Sequence, residues 1–287
     1  MSAAGAGPGA MAGKVVLVTG ASRGIGFCAA RALTGMGARV LMVCRDRARG
    51  EQAKAAIGGD TALYLADLSS QRSLRALAAE VIAGEPRLDV LVNNAGGVNG
   101  RRELTEDGLE RTFATNHLAY FLLTDLLLPL LKKSAPSLIV NVASTADRGG
   151  RIDFDDLQGE RRYVGWRAYC TSKLCNAAFT FELARRLQGT GVTACAVHPG
   201  LVASNFGREG GGFLGFMSLL GRPFSLTPEQ GADTVVWLAS LPDAADRHGQ
   251  YLSKRRPIRA GRQSYDTDVQ RRLWEVSERL AGSPRER

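Results

Sequence analysis

The sequence contains no apolar run long enough to cross a bilayer as a helix. Its most apolar stretch, Leu118–Leu131, carries Asp125 and Pro129 and is shorter than the roughly 20 residues that a transmembrane helix needs. The first 13 residues do not combine a basic stretch with an apolar one, as a signal peptide would. We therefore expect a chain without a transmembrane span, in which Leu118–Leu131 is a buried helix.

Cysteines are few, and their spacing matches no common motif. The 287-residue chain has five of them, an odd number, and no two stand in CxxC spacing. Most lie in apolar runs, where cysteine behaves as a small buried hydrophobe. This pattern excludes a disulfide framework and predicts a reducing compartment, which we take to be the cytoplasm. The five are Cys28, Cys44, Cys170, Cys175 and Cys195.

Short apolar runs, rich in Val, Leu, Ile and Ala, alternate with helical patterns along most of the chain. Such runs are typical of strands covered on both faces, and their alternation with helices predicts parallel βαβ units. We expect an α/β fold, a doubly wound, Rossmann-like, mostly parallel seven-stranded sheet with helices on both faces. The predicted strands are Lys14–Thr19, Ala38–Cys44, Thr61–Ala66, Leu88–Asn94, Ser137–Ser144, Val192–His198 and a short one near Gln250–Ser253.

We predict one domain over residues 14–282, because no linker divides the chain. Residues 1–13 are expected to be a flexible segment and residues 283–287 a tail, with a surface helix at Thr267–Ala281. Two segments exceed what the βαβ pattern needs. Thr145–Trp166 is expected to loop out, and Asn205–Ser225 to form a lid over a substrate.

The turn after the first predicted strand has the composition of a phosphate-binding turn. In VTGASRGIG, Gly20, Gly24 and Gly26 carry no Cβ that would keep a pyrophosphate from the backbone. The helix that follows offers free N–H groups and the positive end of its dipole to the anion. The position of this turn between a strand and a helix predicts a dinucleotide site, to which we also assign Ser22, Arg23 and Ile25.

Basic residues near the adenosine ribose favour NADP(H) over NAD(H). An NAD site commonly has an acidic residue at the end of the second strand, where this chain has Cys44 followed by Arg45. Arg23 in the turn and Arg45 would suit a 2′-phosphate by charge and by bidentate geometry. Asp46 is interpreted as the N-cap of the next helix.

These residues, taken with four further motifs, resemble the short-chain dehydrogenase/reductase family. The resemblance covers roughly residues 12–253, and the motifs occur in the family's order. They are the TGxxxGIG turn (Thr19–Gly26), NNAG (Asn93–Gly96), a serine at the end of the fifth strand (Ser144), the YxxxK pair (Tyr169 and Lys173) and the PG pair (Pro199–Gly200).

The resemblance implies a catalytic tetrad of Asn116, Ser144, Tyr169 and Lys173. Tyr169 and Lys173 are neighbours on one helix face, and a cation near a phenol lowers its pKa, so that Tyr169 could act as acid or base. Ser144 would polarise the substrate oxygen, and Asn116 would hold a water near Lys173. The implied cofactor residues outside the glycine-rich turn are Arg45, Asp67, Leu68, Asn94, Ala95, Gly96, Tyr169, Lys173, Pro199, Gly200 and Val202.

Longer stretches resemble the retinol dehydrogenase-like branch of this family, among them Thr105–Leu131 and Tyr169–Leu187. The resemblance implies an oxidoreductase that interconverts a lipophilic aldehyde or ketone and its alcohol. Several members carry an N-terminal membrane anchor, which this sequence lacks before Lys14. The lid around residues 205–226 is apolar and suits such a substrate, or would touch a membrane surface. Its candidate substrate contacts, beside Ser144 and Tyr169, are Phe206, Phe213 and Phe216.

Other interpretations remain open at this point. The same fold could serve as a catalytically silent NADP(H)-binding sensor or scaffold, although such a protein would not need Tyr169. The net charge of +9 and the basic run Lys254–Arg262 allow a nucleic-acid binder, but no nucleic-acid motif accompanies them. His117 and His198 are taken as structural, and no cluster predicts a metal. By resemblance, Leu118–Leu131 and Thr171–Leu187 could form a homodimer interface.

Overall fold

An eight-stranded, mostly parallel sheet forms the centre of the molecule. The computed structural model describes residues 7, 9–200 and 226–282. The strands lie in the order β3-β2-β1-β4-β5-β6-β7-β8. Their bounds are β1 Val15–Thr19, β2 Arg39–Cys44, β3 Thr61–Leu65, β4 Val90–Asn93, β5 Ser137–Val142, β6 Val192–Val197, β7 Tyr251–Ser253 and β8 Arg256–Pro257.

Helices cover both faces of this sheet. Helices α1, α2 and α6 pack on one apolar layer, and α3, α4, α5 and α7 pack on the other. The doubly wound fold expected from the sequence is thus confirmed. The helices are α1 Gly24–Gly35, α2 Arg47–Ile57, α3 Gln71–Gly84, α4 Arg111–Lys133, α5 Gly165–Arg186, α6 Pro228–Ala239 and α7 Thr267–Ala281.

The central strands are buried along their whole length, as their unbroken apolar composition predicts. Every residue of β1, β4, β5 and β6 is buried. The sheet has one strand more than predicted, because the chain turns back after β7 and pairs β8 antiparallel to it, with Leu252 opposite Pro257. Lys254 and Arg255 form this tight turn with positive φ angles.

The strand order reverses between β1 and β4, which both pair in parallel with their neighbours. In open α/β sheets, ligands bind outside the carboxyl ends of the strands at such a switch point. The segments that follow β1, β2, β4, β5 and β6 all begin at this edge, so the fold brings the motifs of distant segments together. We call it the carboxyl edge.

Helix α4 contains a π-turn at Ala114–Leu118. Such turns are uncommon and frequently occur at functional sites. Within the described residues, α4 alone is long and apolar enough to cross a membrane by length and composition, but 72% of its most apolar window is buried inside the molecule. This burial is typical of a core helix and agrees with the buried helix expected at Leu118–Leu131.

Helix α7 covers the two helices that the sequence suggested as a homodimer interface. The Trp274 ring contacts Phe121 of α4 edge-on at 5.0 Å and stacks on Phe179 of α5 at 5.8 Å between ring centroids. The Arg186 guanidinium lies 4.1 Å above the same ring. Because α7 of the same chain packs on both helices here, a partner subunit could not pack at Phe121 and Phe179. A homodimer through other surfaces stays a prediction.

Two segments have residues packed on the core where the sequence predicts a flexible segment and a loop. Met11 lies within the expected flexible segment, yet it is buried and its N–H donates to the Met36 carbonyl at 2.9 Å. The segment Thr145–Trp166 does not loop out. It begins as a 3-10 helix at Thr145–Gly149, and Ile152 is buried with its backbone bonded to the Gln263 side chain. Both segments are fixed by apolar residues that find room in the core.

We expect Trp274→Ala to destabilise the protein by about 3 kcal/mol, because truncating a large packed aromatic side chain removes buried area and leaves a cavity. Urea unfolding followed by circular dichroism measures the change. Glu275→Ala on the exposed side of the same helix is the matched control and should change stability little. Equal effects of the two substitutions would show that the Trp274 contacts contribute nothing specific.

Candidate active site

Ser144 and Tyr169 meet at the carboxyl edge. Ser144 follows β5 in extended backbone and is the N-cap of the 3-10 helix, where its Oγ accepts from the Ala146 N–H at 3.2 Å. Tyr169 lies in the first turns of α5, and the Ser144 hydroxyl hydrogen-bonds its phenol. Ser144 and Tyr169 are 25 positions apart in sequence, but their hydroxyl groups are in contact, which is what the sequence analysis expects.

Lys173 is buried one helical turn after Tyr169. Its Nζ donates to the Val142 carbonyl at the end of β5 at 2.8 Å. It lies 5.9 Å from the ring centroid of Tyr169 and 5.6 Å from that of Tyr120. An ammonium buried this deeply is costly unless it has acceptors or aromatic faces near it. A strand end and two rings provide them here.

Asn116 occupies the π-turn of α4 and holds the segment after β4. Its Oδ1 accepts from the Gly97 N–H at 2.9 Å, while its Nδ2 donates to the Gly97 carbonyl and to Ser172 Oγ. A Cβ on Gly96 would lie 3.1 Å from Asn116 Oδ1 and 3.5 Å from Lys173 Nζ. Gly96 thus lets the chain pass between these two polar groups. The Asn116 carbonyl accepts from Asn176 Nδ2 at 2.8 Å.

Burial dominates the protonation of this cluster. Desolvation raises the pKa of Tyr169 above its ordinary value, and the hydrogen bond from Ser144 offsets only part of the rise. Desolvation also lowers the pKa of Lys173 to about 7. The net lowering of the Tyr169 pKa that the sequence predicts is not found in this structure, because burial of the phenol dominates.

The glycine-rich turn has the form of an anion cradle. Gly20 and Gly24 have positive φ angles of 69° and 59°. A Cβ on Gly26 would collide with the Gly20 carbonyl oxygen and lie 2.5 Å from Asn94 Nδ2. Helix α1 starts at Gly24, and its N-cap Arg23 makes no side-chain capping bond. Helices α2, α3, α6 and α7 all have such a bond.

The residues of this turn therefore fit a dinucleotide pyrophosphate. The uncapped first N–H groups of α1 would hold the anion, and the glycines leave its approach open. Thr19 fixes the turn against the next loop, since its Oγ1 accepts from the N–H groups of Asn94 and Ala95 at 2.8 and 3.0 Å. Thr19 was quoted in the sequence motif but not assigned to the site.

The remaining assigned cofactor residues lie along the same edge. Arg23 and Arg45 are exposed beside the turn and after β2. Asp46 caps α2 by accepting from the Arg49 N–H, as interpreted. Asp67 accepts from the N–H and the hydroxyl of Ser69, and Ser70 caps α3. Leu68 is buried, and Pro199 and Gly200 follow β6. Val202, Phe206, Phe213 and Phe216, with nearly all of the expected lid, lie outside the described residues.

The two histidines of interest have structural partners. His117 is buried, and its ring nitrogens contact Ser277 Oγ of α7 at 2.9 Å and Asn176 Oδ1 at 3.4 Å. Thr145, the residue after Ser144, contacts the His198 ring through its own backbone N–H and hydroxyl. Burial lowers the pKa of both imidazoles to about 4. No group of three His, Cys, Asp or Glu side chains in the described part of the chain could hold a metal ion.

Two residues near the tetrad escaped the sequence analysis. Asp147, three residues after Ser144, is fully buried. Tyr251 and the Gly261 N–H lie near its carboxylate, but neither carboxylate oxygen has a hydrogen bond of ordinary geometry. Trp166 stacks on Tyr169. The i, i+3 spacing of Trp166 and Tyr169 on a predicted helix was the available signal for the second residue. No signal marked Asp147, whose burial depends on the packing of the β7 and Gly261 segments.

The chain is similar to known proteins over most of its length. The family model described as short chain dehydrogenase matches residues 14–210. Retinol dehydrogenase 14 of Mus musculus is 44% identical over 301 residues, covering 97% of this chain and 89% of that protein.

Solved structures show the same fold. The crystal structure of an uncharacterized protein from Mycobacterium Paratuberculosis has a TM-score of 0.81 and 34% identity, covering 98% of this chain and 97% of that one. The Pseudomonas aeruginosa RhlG/NADP active-site complex has a TM-score of 0.69 and 28% identity, covering 86% of this chain and 97% of that one.

We expect Asp147→Asn to stabilise the protein at neutral pH. Desolvation raises the pKa of Asp147 from 3.8 to about 6, so the folded state binds this proton more tightly than the unfolded state. Stability is then lost as pH rises from about 4 to 6, by up to about 3 kcal/mol at 1.36 kcal/mol per pKa unit.

The measurement is the free energy of unfolding against pH for both proteins. The advantage of the Asn variant should be full near pH 7.5 and vanish near pH 4. Asp155→Asn, at an exposed position, is the control. A pH-independent difference would contradict the assignment.

Proposed function

Because the chain belongs to the short-chain dehydrogenase/reductase family, we propose that it is an NADP(H)-dependent oxidoreductase that interconverts a lipophilic aldehyde or ketone and its alcohol. The observation that carries this proposal is the convergence of Ser144, Tyr169, Lys173 and Asn116 beside the uncapped, glycine-lined start of α1. A protein that only bound the dinucleotide would not need a phenol, a hydroxyl and a buried ammonium at one place.

The protein's part in the reaction is to orient and polarise the substrate oxygen. A bound nicotinamide cofactor supplies the hydride in reduction and accepts it in oxidation. Ser144 donates a hydrogen bond to the carbonyl oxygen, and Tyr169 transfers its phenolic proton to that oxygen as the alcohol forms. In the opposite direction the Tyr169 phenolate takes the alcohol proton. The charge of Lys173 favours this phenolate by Coulomb attraction across the helix face.

The burial of Lys173 suits a group that assists proton transfer near neutral pH. Burial lowers its pKa to about 7, toward the range in which a group can exchange a proton near neutral pH. Lys173 is fixed between Val142 and the two tyrosine rings, so a change in its charge acts on Tyr169 with little movement. Asn116 fixes Gly97, which follows the Gly96 that lies beside Lys173, and acts as a positioning residue.

A lipophilic substrate is supported by the relatives. Retinol dehydrogenase 14, to which the chain is similar over nearly its full length, is named for an apolar alcohol. We extend this substrate class, and not retinol itself, to the present chain. We also propose a cytoplasmic location with peripheral contact to a membrane, from which an apolar substrate would be drawn.

The preference for NADP(H) rests on Arg23 and Arg45. Both are exposed at the carboxyl edge on the β2 side of the turn, and an acidic residue does not follow β2 directly. Asp46, which could otherwise accept from a ribose, is engaged as the cap of α2. The charges available to the 2′ position are therefore guanidinium groups, which bind a phosphate through charge-assisted hydrogen bonds.

We expect Tyr169→Phe to reduce turnover at least 100-fold while NADPH binding stays within about twofold, because the substitution removes only the proton that is transferred. Loss of NADPH absorbance at 340 nm measures turnover, and quenching of protein fluorescence measures binding. Tyr64→Phe, whose hydroxyl contacts Glu85 away from the tetrad, is the control and should stay active. Retained turnover in the Tyr169 variant would refute the mechanism.

We expect Arg45→Ala to raise the KM for NADPH roughly tenfold or more, in line with the 1.5–3 kcal/mol of a charged hydrogen bond, and to leave the KM for NADH unchanged. Steady-state kinetics with each cofactor make the comparison. Arg279→Ala, on the exposed side of α7, removes the same charge elsewhere. Parallel changes for both cofactors would show that Arg45 does not contact a 2′-phosphate.

A further inference from the structure

Trp166 covers the ring of the proposed catalytic tyrosine while remaining half exposed. It is the second residue of α5, and its ring stacks on that of Tyr169 with centroids 5.5 Å apart and planes 29° from parallel. The side chain keeps 46% of its surface exposed, whereas Tyr169 keeps 7%. Apolar indole surface is therefore continuous with the phenol that would act on the substrate oxygen.

The backbone on both sides of Trp166 is fixed. A Cβ on Gly165 would collide with the Asn99 carbonyl oxygen, so only glycine allows this close approach. The Tyr163 hydroxyl lies 3.1 Å from the same carbonyl and 3.0 Å from Glu110 Oε1. Glu110 is itself buried and caps the start of α4. The segment before α5 is thus attached to two neighbouring loops, and Trp166 is held on a rigid support.

Exposed apolar side chains are concentrated at this place. Among the described residues, five large apolar side chains are exposed, and two of them, Val164 at 39% and Trp166 at 46%, lie within five residues of Tyr169. Single exposed apolar residues are ordinary. Two such residues on one fixed segment, with the Trp166 ring against the Tyr169 ring, form the arrangement of a ligand wall, with apolar surface beside a few placed polar groups.

We propose that Trp166 is a specificity residue whose indole stacks on the planar, conjugated part of the substrate next to the carbonyl that Tyr169 protonates. The inference rests on the proposed function and narrows its substrate class to carbonyl compounds conjugated with a planar aryl group, and their alcohols. When the substrate oxygen bonds to Tyr169 and Ser144, the atoms conjugated with the carbonyl lie in one plane beside it. A flat face of this kind fits an aromatic ring, whereas a saturated, puckered chain makes fewer contacts.

The first test compares two aldehydes with the same carbon skeleton, trans-cinnamaldehyde and 3-cyclohexylpropanal. The quantity measured is the ratio of their kcat/KM values with NADPH, so that the intrinsic reactivity difference cancels between variants. Trp166→Leu should lower this preference for the planar aldehyde about fivefold, which corresponds to about 1 kcal/mol at tenfold per 1.36 kcal/mol. Trp166→Phe should restore most of it, and Trp237→Phe, on α6 against the other core layer, should leave it unchanged.

A second measurement keeps the inference testable if turnover is absent. Binding of trans-cinnamyl alcohol should quench the fluorescence of the wild-type protein and of Trp237→Phe, and this quenching should be lost in Trp166→Phe. Thermal unfolding checks that the variants are folded. If neither aldehyde is turned over and quenching is lost only in Trp166→Phe, the proposed function is contradicted. The role of Trp166 as the wall of a ligand site is then supported. An unchanged preference in Trp166→Leu, or quenching retained in Trp166→Phe, would overturn the inference.

Discussion

The burial of one ammonium group is the constraint on which the proposed site depends. Lys173 lies inside the domain with the Val142 carbonyl as hydrogen-bond acceptor and two tyrosine rings as neighbours. Such a charge is tolerated only where the surroundings are arranged for it. The end of β5, the glycine at position 96 and the π-turn of α4 meet at this point. The end of β5 brings the Val142 carbonyl to the lysine, and Gly96 leaves space beside its Nζ.

The sheet edge provides that arrangement. Parallel strands carry all their following loops to one edge, and the reversal of strand order opens a crevice there. Thr19 ties the glycine-rich turn to the loop after β4 by bonds at 2.8 and 3.0 Å. The cradle for the dinucleotide and the buried lysine are thus parts of one bonded structure. We therefore expect a substitution in either loop to disturb both.

Much of this could be predicted from sequence because the signals were local. Buried parallel strands are unbroken apolar runs, so the sequence predicts the six long strands. The motifs that follow these strands predict the tetrad, whose catalytic role stays a prediction. The errors came from contacts between distant segments. The folding of Thr145–Trp166 onto Gln263, the cover that α7 provides through Trp274, and the burial of Asp147 depend on packing that no local pattern encodes. The direction of the Tyr169 pKa shift depends on the same packing, because desolvation of the phenol is a property of the assembled core.

The central claim is that the carboxyl edge of the sheet binds a nicotinamide dinucleotide, which transfers hydride to an apolar carbonyl compound held there. It is tested most directly by mixing the purified protein with NADPH or NADH and following absorbance at 340 nm with retinal, a medium-chain aldehyde and a small diketone. We expect oxidation of NADPH with retinal or the medium-chain aldehyde, and slower oxidation of NADH. Absence of turnover with every compound, together with no binding of either cofactor by fluorescence, would contradict the account.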